Sequence, residues 1–133
     1  MTAAAVEITA LTVYPVKSMR GIALDSAVLT PLGLEHDRRF MVVRPDGSFV
    51  TQRDTPLLAL VETALEAGGV VLSRDGFGEL FVPFDVTGGE PVQTRVWKDG
   101  CEAVDQGEVV SRWLTEVLES KERLYLVAMA KDY

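Results

Sequence analysis

The sequence predicts a mainly β protein, a barrel-like antiparallel sheet with one C-terminal α-helix. Three observations carry that expectation. Short runs rich in β-branched residues alternate with Gly, Pro and Asp turn signals at close intervals, as in barrels and sandwiches. Only residues 106–120 space their apolar residues convincingly as a helix does. The 133 residues, 47% hydrophobic and 25% charged, suit one soluble domain (1–133) with a core of its own.

Taken in order, Val6 to Tyr14 is rich in β-branched residues and apolar on both faces, which predicts a central strand. Pro15 has no N–H for a sheet ladder, so the strand ends or meets an edge there. Tyr14-Pro15-Val16-Lys17-Ser18-Met19-Arg20-Gly21 then presents an ammonium, a hydroxyl, a guanidinium and a glycine within five residues. Phosphate sites are assembled from such groups, and a glycine lets backbone approach a ligand closely. The same groups also make an ordinary solvated turn, and spacing alone favours that reading.

Ile22 to Leu29 reads as a second extended stretch, punctuated by Pro31 and Gly33. Phe40–Val43 and Phe49–Gln52 flank Pro45-Asp46-Gly47-Ser48, where Asp-Gly between apolar runs signals a hairpin. Leu57 to Leu65 admits helix or strand periodicity; its place between two hairpin-like units predicts a strand over 59–65. Turns at Gly68-Gly69 and Gly76-Phe77-Gly78 bound strands over 70–72 and 80–84. Thr87 to Pro91 is the most loop-like stretch, and its Gly-Gly lies in no nucleotide fingerprint. Val92–Trp97 and Cys101–Val104 pair around Lys98-Asp99-Gly100. The helix runs over 106–120, with Asp105 as N-cap and Glu108 completing a capping box. Val109, Val110, Trp113, Leu114, Val117 and Leu118 form its apolar stripe, with Ser111, Arg112, Thr115, Glu116 and Glu119 facing away. Leu124 to Met129 closes the chain as a strand.

Composition narrows the function. The six cations of residues 1–60 (Lys17, Arg20, Arg38, Arg39, Arg44, Arg53) are balanced by six carboxylates, so the net charge of −7 falls on residues 61–133. That acidity argues against nucleic acid as a partner yet leaves room for a small anion site in the N-terminal half. No apolar run approaches the ~20 residues of a membrane span, and no secretory leader pattern opens the chain, so the cytoplasm is expected. Cys101 and His36 are each the only residue of their kind, which excludes an internal disulfide and starves a zinc site of ligands. Cys101 reads as a buried, inert thiol rather than a nucleophile. No triad, metal cluster or paired-acid motif marks an independent enzyme.

Three motifs occur in order: YPVKSMRG, then Leu32-Gly33-Leu34-Glu35-His36-Asp37-Arg38-Arg39-Phe40 leading into Met41-Val42-Val43, then DGSFVTQR ending at Arg53. In combination they resemble the N-terminal β-barrel domain of MOSC proteins, the group that includes molybdenum cofactor sulfurases, YcbX-like proteins and amidoxime-reducing enzymes. A weaker echo at Val96-Trp97, Gln106-Gly107-Glu108 and Trp113-Leu114 extends the resemblance over nearly the whole chain. It implies that Lys17, Ser18 and Arg38 hold the phosphate of the molybdenum cofactor, molybdopterin. Arg20 and Arg53 stand in second rank, and Asp37 has an alternative role in orienting Arg38. Structural or solvated roles are expected for His36, Arg39 and Arg44. Enzymatic members continue into a second domain that supplies a cysteine ligand to molybdenum, and Cys101 does not align with it. The expectation is therefore a partial site, one that binds a pterin phosphate or another small anion without catalysing alone. The alternative is an interaction domain that completes a MOSC catalytic half on another chain.

Overall fold

The computed structural model describes residues 6–31, 33–84, 91–96 and 99–129. It is mainly β, with antiparallel sheets, one α-helix and no closed barrel among these residues. The strands are β1 (Leu11–Val13), β2 (Ile22–Leu24), β3 (Leu29–Thr30), β4 (Gly33–Leu34), β5 (Phe40–Val43), β6 (Glu62–Glu66), β7 (Gly69–Ser73), β8 (Glu79–Pro83), β9 (Pro91–Val96), β10 (Asp99–Asp105) and β11 (Tyr125–Met129), with α1 (Glu108–Val117) between the last two. They form a four-stranded sheet ordered β5-β11-β10-β9, a three-stranded meander β6-β7-β8, and the two hairpins β1-β2 and β3-β4.

β5 is the strand on which the site hangs. All four of its residues, Phe-Met-Val-Val, are buried, as an uninterrupted apolar strand requires. Its Phe40 and Val42 face the main core with Val16, Leu58, Val70, Leu72, Leu114 and Leu126. Met41 and Val43 face a smaller cluster with Val127, flanked by Phe49 and Tyr125. One edge pairs with β11 in antiparallel register, Val43 opposite Tyr125. The other edge is taken by a parallel bridge to Val16 and an antiparallel bridge to Phe49. β5 is thus enclosed on both faces and both edges.

Several expectations change. Val6 to Tyr14 is not a central strand: among the described residues only Leu11–Val13 pairs as a strand, and only with β2, while Val6 and Ile8 stand exposed. The hairpin after β5 is present, with Arg44 N donating to Ser48 O and Val50 N to Val42 O, but its second arm is a bridge rather than a full strand. Pro56 opens a 3-10 helix over Pro56–Leu60, where its fixed φ suits the first position, so the strand begins only at Glu62. Asp99 pairs with Val96, so β10 begins ahead of its expected start, and residues 97–98 lie outside the described set. Pro91, expected in a loop over Thr87–Pro91, opens β9, and the rest of that loop, residues 87–90, falls outside the described set. So does the side chain of Cys101, and with it the expected fate of its thiol.

The helix also starts later than its capping pattern suggests. Asp105 ends β10 and accepts a hydrogen bond from Gly107 N at 3.0 Å, an Asx turn. Gly107 occupies the N-cap at φ 111°, a conformation that favours glycine. Val110, Leu114, Val117 and Leu118 enter the core as expected, whereas Val109 is exposed. Ser111, expected outside, is buried because the segment after the helix supplies its partners: its hydroxyl donates to Leu124 O and accepts from Arg123 Nε. Among the described residues no helix is long and apolar enough to cross a membrane.

Candidate anion site

Lys17 and Arg38, 21 residues apart in sequence, are brought together by backbone pairing. After β1 the chain turns along residues 38–40: Arg38 N donates to Tyr14 O at 2.6 Å, Phe40 N to Pro15 O at 2.9 Å and Lys17 N to Phe40 O at 2.9 Å. Pro15 sits where the ladder needs its carbonyl and not an N–H. Buried Met19 pins the following turn, with its N–H on Val16 O. Three non-glycine residues here hold left-handed backbone, Ser18 at φ 72°, His36 at φ 70° and Arg38 at φ 48°. Such conformations are uncommon outside glycine and concentrate where side chains are presented for a purpose.

Each cation rests on an aromatic face. The Lys17 ammonium lies 3.6 Å from the centroid of the Phe49 ring. The Arg38 guanidinium lies 4.7 Å from that of Tyr14. Asp37 ties the second pair together: Oδ1 accepts from Tyr14 N at 2.8 Å and Oδ2 from Arg38 Nη1 at 2.6 Å. Asp37 therefore orients Arg38. Burial, and then the nearby Arg38 charge, lower the Lys17 pKa below the ordinary lysine value. The two cations are close enough to oppose one another.

Ser18 completes the turn, with its carbonyl accepting from Gln52 Nε2 at 2.6 Å. That contact sets Arg53, exposed and without an ion pair among the described residues, on the loop beside Ser18. Arg20 is engaged elsewhere: its guanidinium pairs with Glu62 at 2.9 Å, and its carbonyl accepts from Thr63 Oγ1. The other basic residues serve the scaffold. Arg39 Nη2 donates to Phe84 O, and Arg44 reaches Phe49 O, Asp54 and Glu122. His36 stacks flat on Phe84 at 4.0 Å between centroids, beside Glu35.

Tyr14 and Phe49 were not among the sequence candidates. Tyr14 adjoins the motif, but nothing local signals Phe49, because its contact with Lys17 depends on the hairpin folding back along β5. As a donor set, an ammonium, a hydroxyl and a guanidinium suit the oxygens of a phosphate. Among the described residues no group of three His, Cys, Asp or Glu is placed to hold a metal ion.

Comparison with known proteins agrees with this architecture. Mitochondrial amidoxime-reducing component 1 of Danio rerio is 33% identical over 129 residues, covering 94% of this chain and 40% of the relative. Molybdenum cofactor sulfurase of Danio rerio is 34% identical over 123 residues, covering 88% of this chain and 15% of the relative. The chain thus spans less than half the length of either. A Bordetella bronchiseptica protein solved in solution shares the fold at a TM-score of 0.61 and 21% identity, over 82% of this chain and 92% of that one. The family described as the MOSC N-terminal beta barrel domain matches residues 5–121, and the chain belongs to it.

Proposed function

We propose that this domain binds a small phosphorylated anion, the phosphate of the molybdenum cofactor, through Lys17, Ser18 and Arg38, and is not catalytic by itself. The observation that carries the reading is the meeting of Lys17 and Arg38 across backbone pairs, with Ser18 and Arg38 both in left-handed conformation. In this reading Lys17 supplies a point charge, Ser18 a hydroxyl donor and Arg38 a planar fork. Arg53 contributes at longer range, and Arg20 contributes least because Glu62 already neutralises it. Molybdenum, when bound, would supply oxygen-atom or sulfur chemistry; this chain's described residues would supply the phosphate grip. Cytoplasmic residence belongs to the same reading, supported by the single cysteine.

The test is an NMR shift titration of the protein with phosphate and pyrophosphate. Saturable shifts centred on Lys17, Ser18 and Arg38 are expected, weakened roughly tenfold by Lys17→Ala or Arg38→Ala, the scale of one charged hydrogen bond. Unchanged affinity in both variants would refute the reading.

A second reading makes the domain the complement of a MOSC catalytic half on another chain. Its support is the exposure of large apolar side chains at Val6, Ile8, Val28 and Leu29, surface that a partner chain could cover. Purification from native cells as a free monomer alone would count heavily against it.

A further inference from the structure

We propose that Tyr14 is a positioning residue of this site, holding the Arg38 guanidinium beside Lys17; the inference rests on the anion-binding reading above. The Arg38 side chain is 56% exposed, and an arginine that open to water would ordinarily sample many rotamers. Among the described residues, Arg38 is held by Tyr14 itself and by Asp37, which the Tyr14 N–H in turn holds. The Tyr14 carbonyl accepts from Arg38 N, which fixes where the side chain leaves the backbone. The Tyr14 N–H engages Oδ1 of Asp37, which leaves Oδ2 directed at Arg38 Nη1. The Tyr14 ring then provides the face over which the guanidinium lies. A guanidinium is planar in itself, and holding it over a ring limits where its donor edge can point, the edge that matches an oxyanion. Asp37 occupies the Nη1 end, so the plane's remaining donors are the ones assigned to ligand.

The ring itself is seated from behind by Gly21. A Cβ at that position would stand 2.7 Å from Tyr14 Cε1, 2.9 Å from Cζ and 2.6 Å from Thr12 Cγ2. The sequence suggested that Gly21 lets backbone approach a ligand; in the structure it lets backbone approach Tyr14. The glycine therefore acts on Arg38 at one remove, by allowing the ring to lie against the turn. Two of the three Tyr14 restraints come from its backbone and survive substitution, which leaves the ring as the separable part.

Three variants of the full chain test this, each checked for native circular dichroism: Tyr14→Leu, which removes the aromatic face, Tyr14→Phe, which keeps it, and Gly21→Ala, which displaces it. Two readouts are taken, the NMR titration of the Lys17 ε-ammonium and pyrophosphate affinity by shift perturbation. In Tyr14→Leu and Gly21→Ala the Arg38 charge is freed from its place, so the Lys17 pKa should rise towards the ordinary lysine value. Pyrophosphate should bind roughly two- to fivefold more weakly, the size of an exposed cation–π contact. Tyr14→Phe should match wild type in both. If Tyr14→Leu folds, the inference is overturned by a Lys17 titration and pyrophosphate affinity equal to wild type. If it does not fold, the same null result in Gly21→Ala overturns it. Should wild type bind no pyrophosphate, the anion reading fails, while the Lys17 titration still decides whether Tyr14 places Arg38.

Discussion

Arg74 is the strongest single test of how the helix is held to the sheets. It lies in the β7–β8 turn with its side chain 17% exposed. Its Nη1 donates to the carbonyl of Val117, the last residue of α1, and pairs with Glu119 at 3.3 Å; the guanidinium lies 4.8 Å from the Phe77 ring centroid. The last four carbonyls of a helix lack intrahelical partners, and a cation there also meets the negative end of the helix dipole. Arg74→Met keeps the apolar stem and removes the head. The charged hydrogen bond is worth about 1.5–3 kcal/mol. The Glu119 pair, whose carboxylate side is 62% exposed, adds at most a few tenths of a kcal/mol. A loss of about 2 kcal/mol is expected, or about 6–10 °C in Tm for a chain of this length. Urea denaturation followed by circular dichroism should place the midpoint about 1 M lower, with unchanged slope. Glu119→Gln should move it by much less. A midpoint for Arg74→Met within error of wild type would refute the argument, and equal losses in both variants would shift the weight from the helix carbonyl to the ion pair.

Three further outcomes follow. Because the folded-state pKa of Lys17 is lowered, phosphate affinity should fall as pH rises through that value, earlier than an ordinary lysine would dictate; a pH series of shift titrations checks this, and flat affinity up to the ordinary lysine range would contradict it. Glu108, held down by Arg123 and Arg112, and Asp46, held down by Ser48, have folded-state values below their unfolded ones, so the stability they contribute is present above the unfolded values and lost as pH falls through the folded ones. Glu108→Gln should therefore flatten the acid limb of a Tm-against-pH curve and leave the neutral region less stable than wild type. Ser111→Ala removes the hydroxyl between Leu124 O and Arg123 Nε in a buried setting and should cost about 1–3 kcal/mol by urea titration.

What could be read from the chain was what local chemistry decides. β7 and β8 were legible because glycine turns bracket short apolar runs, and α1 because its stripe of Val110, Leu114, Val117 and Leu118 needs only a period of 3.6. The failures lie where distant segments decide. Val6 and Ile8 look like a buried strand by composition, but burial depends on whether another strand arrives, and none among the described residues does. Ser111 is polar by identity and buried by circumstance, since Arg123 and Leu124 belong to the return from helix to β11. Leu57–Leu60 satisfied two periodicities at once, and the backbone followed Pro56 instead. In the site, Lys17-Ser18 was visible as a local motif, while its pairing with Arg38 came only with the family resemblance. The aromatic faces under both cations required the fold.

A lowered pKa disfavours the charged form of a lysine and favours that of a carboxylate, and this separates Lys17 from the other charges whose pKa moves. Glu108 and Asp46 sit among donors and cations that favour their charged forms, and for Asp54 the Thr51 N–H and Arg44 outweigh its burial in the same direction. Those groups already gain from being ionised, as structural ion pairs do. The Lys17 ammonium is instead disfavoured by burial and by Arg38. A charge disfavoured in this way gains from the arrival of an anion, and perturbed groups of this kind concentrate at functional sites. Linkage then fixes a consequence for the ligand. An anion between Lys17 and Arg38 must raise the Lys17 pKa, so above its free value binding draws a proton from solvent.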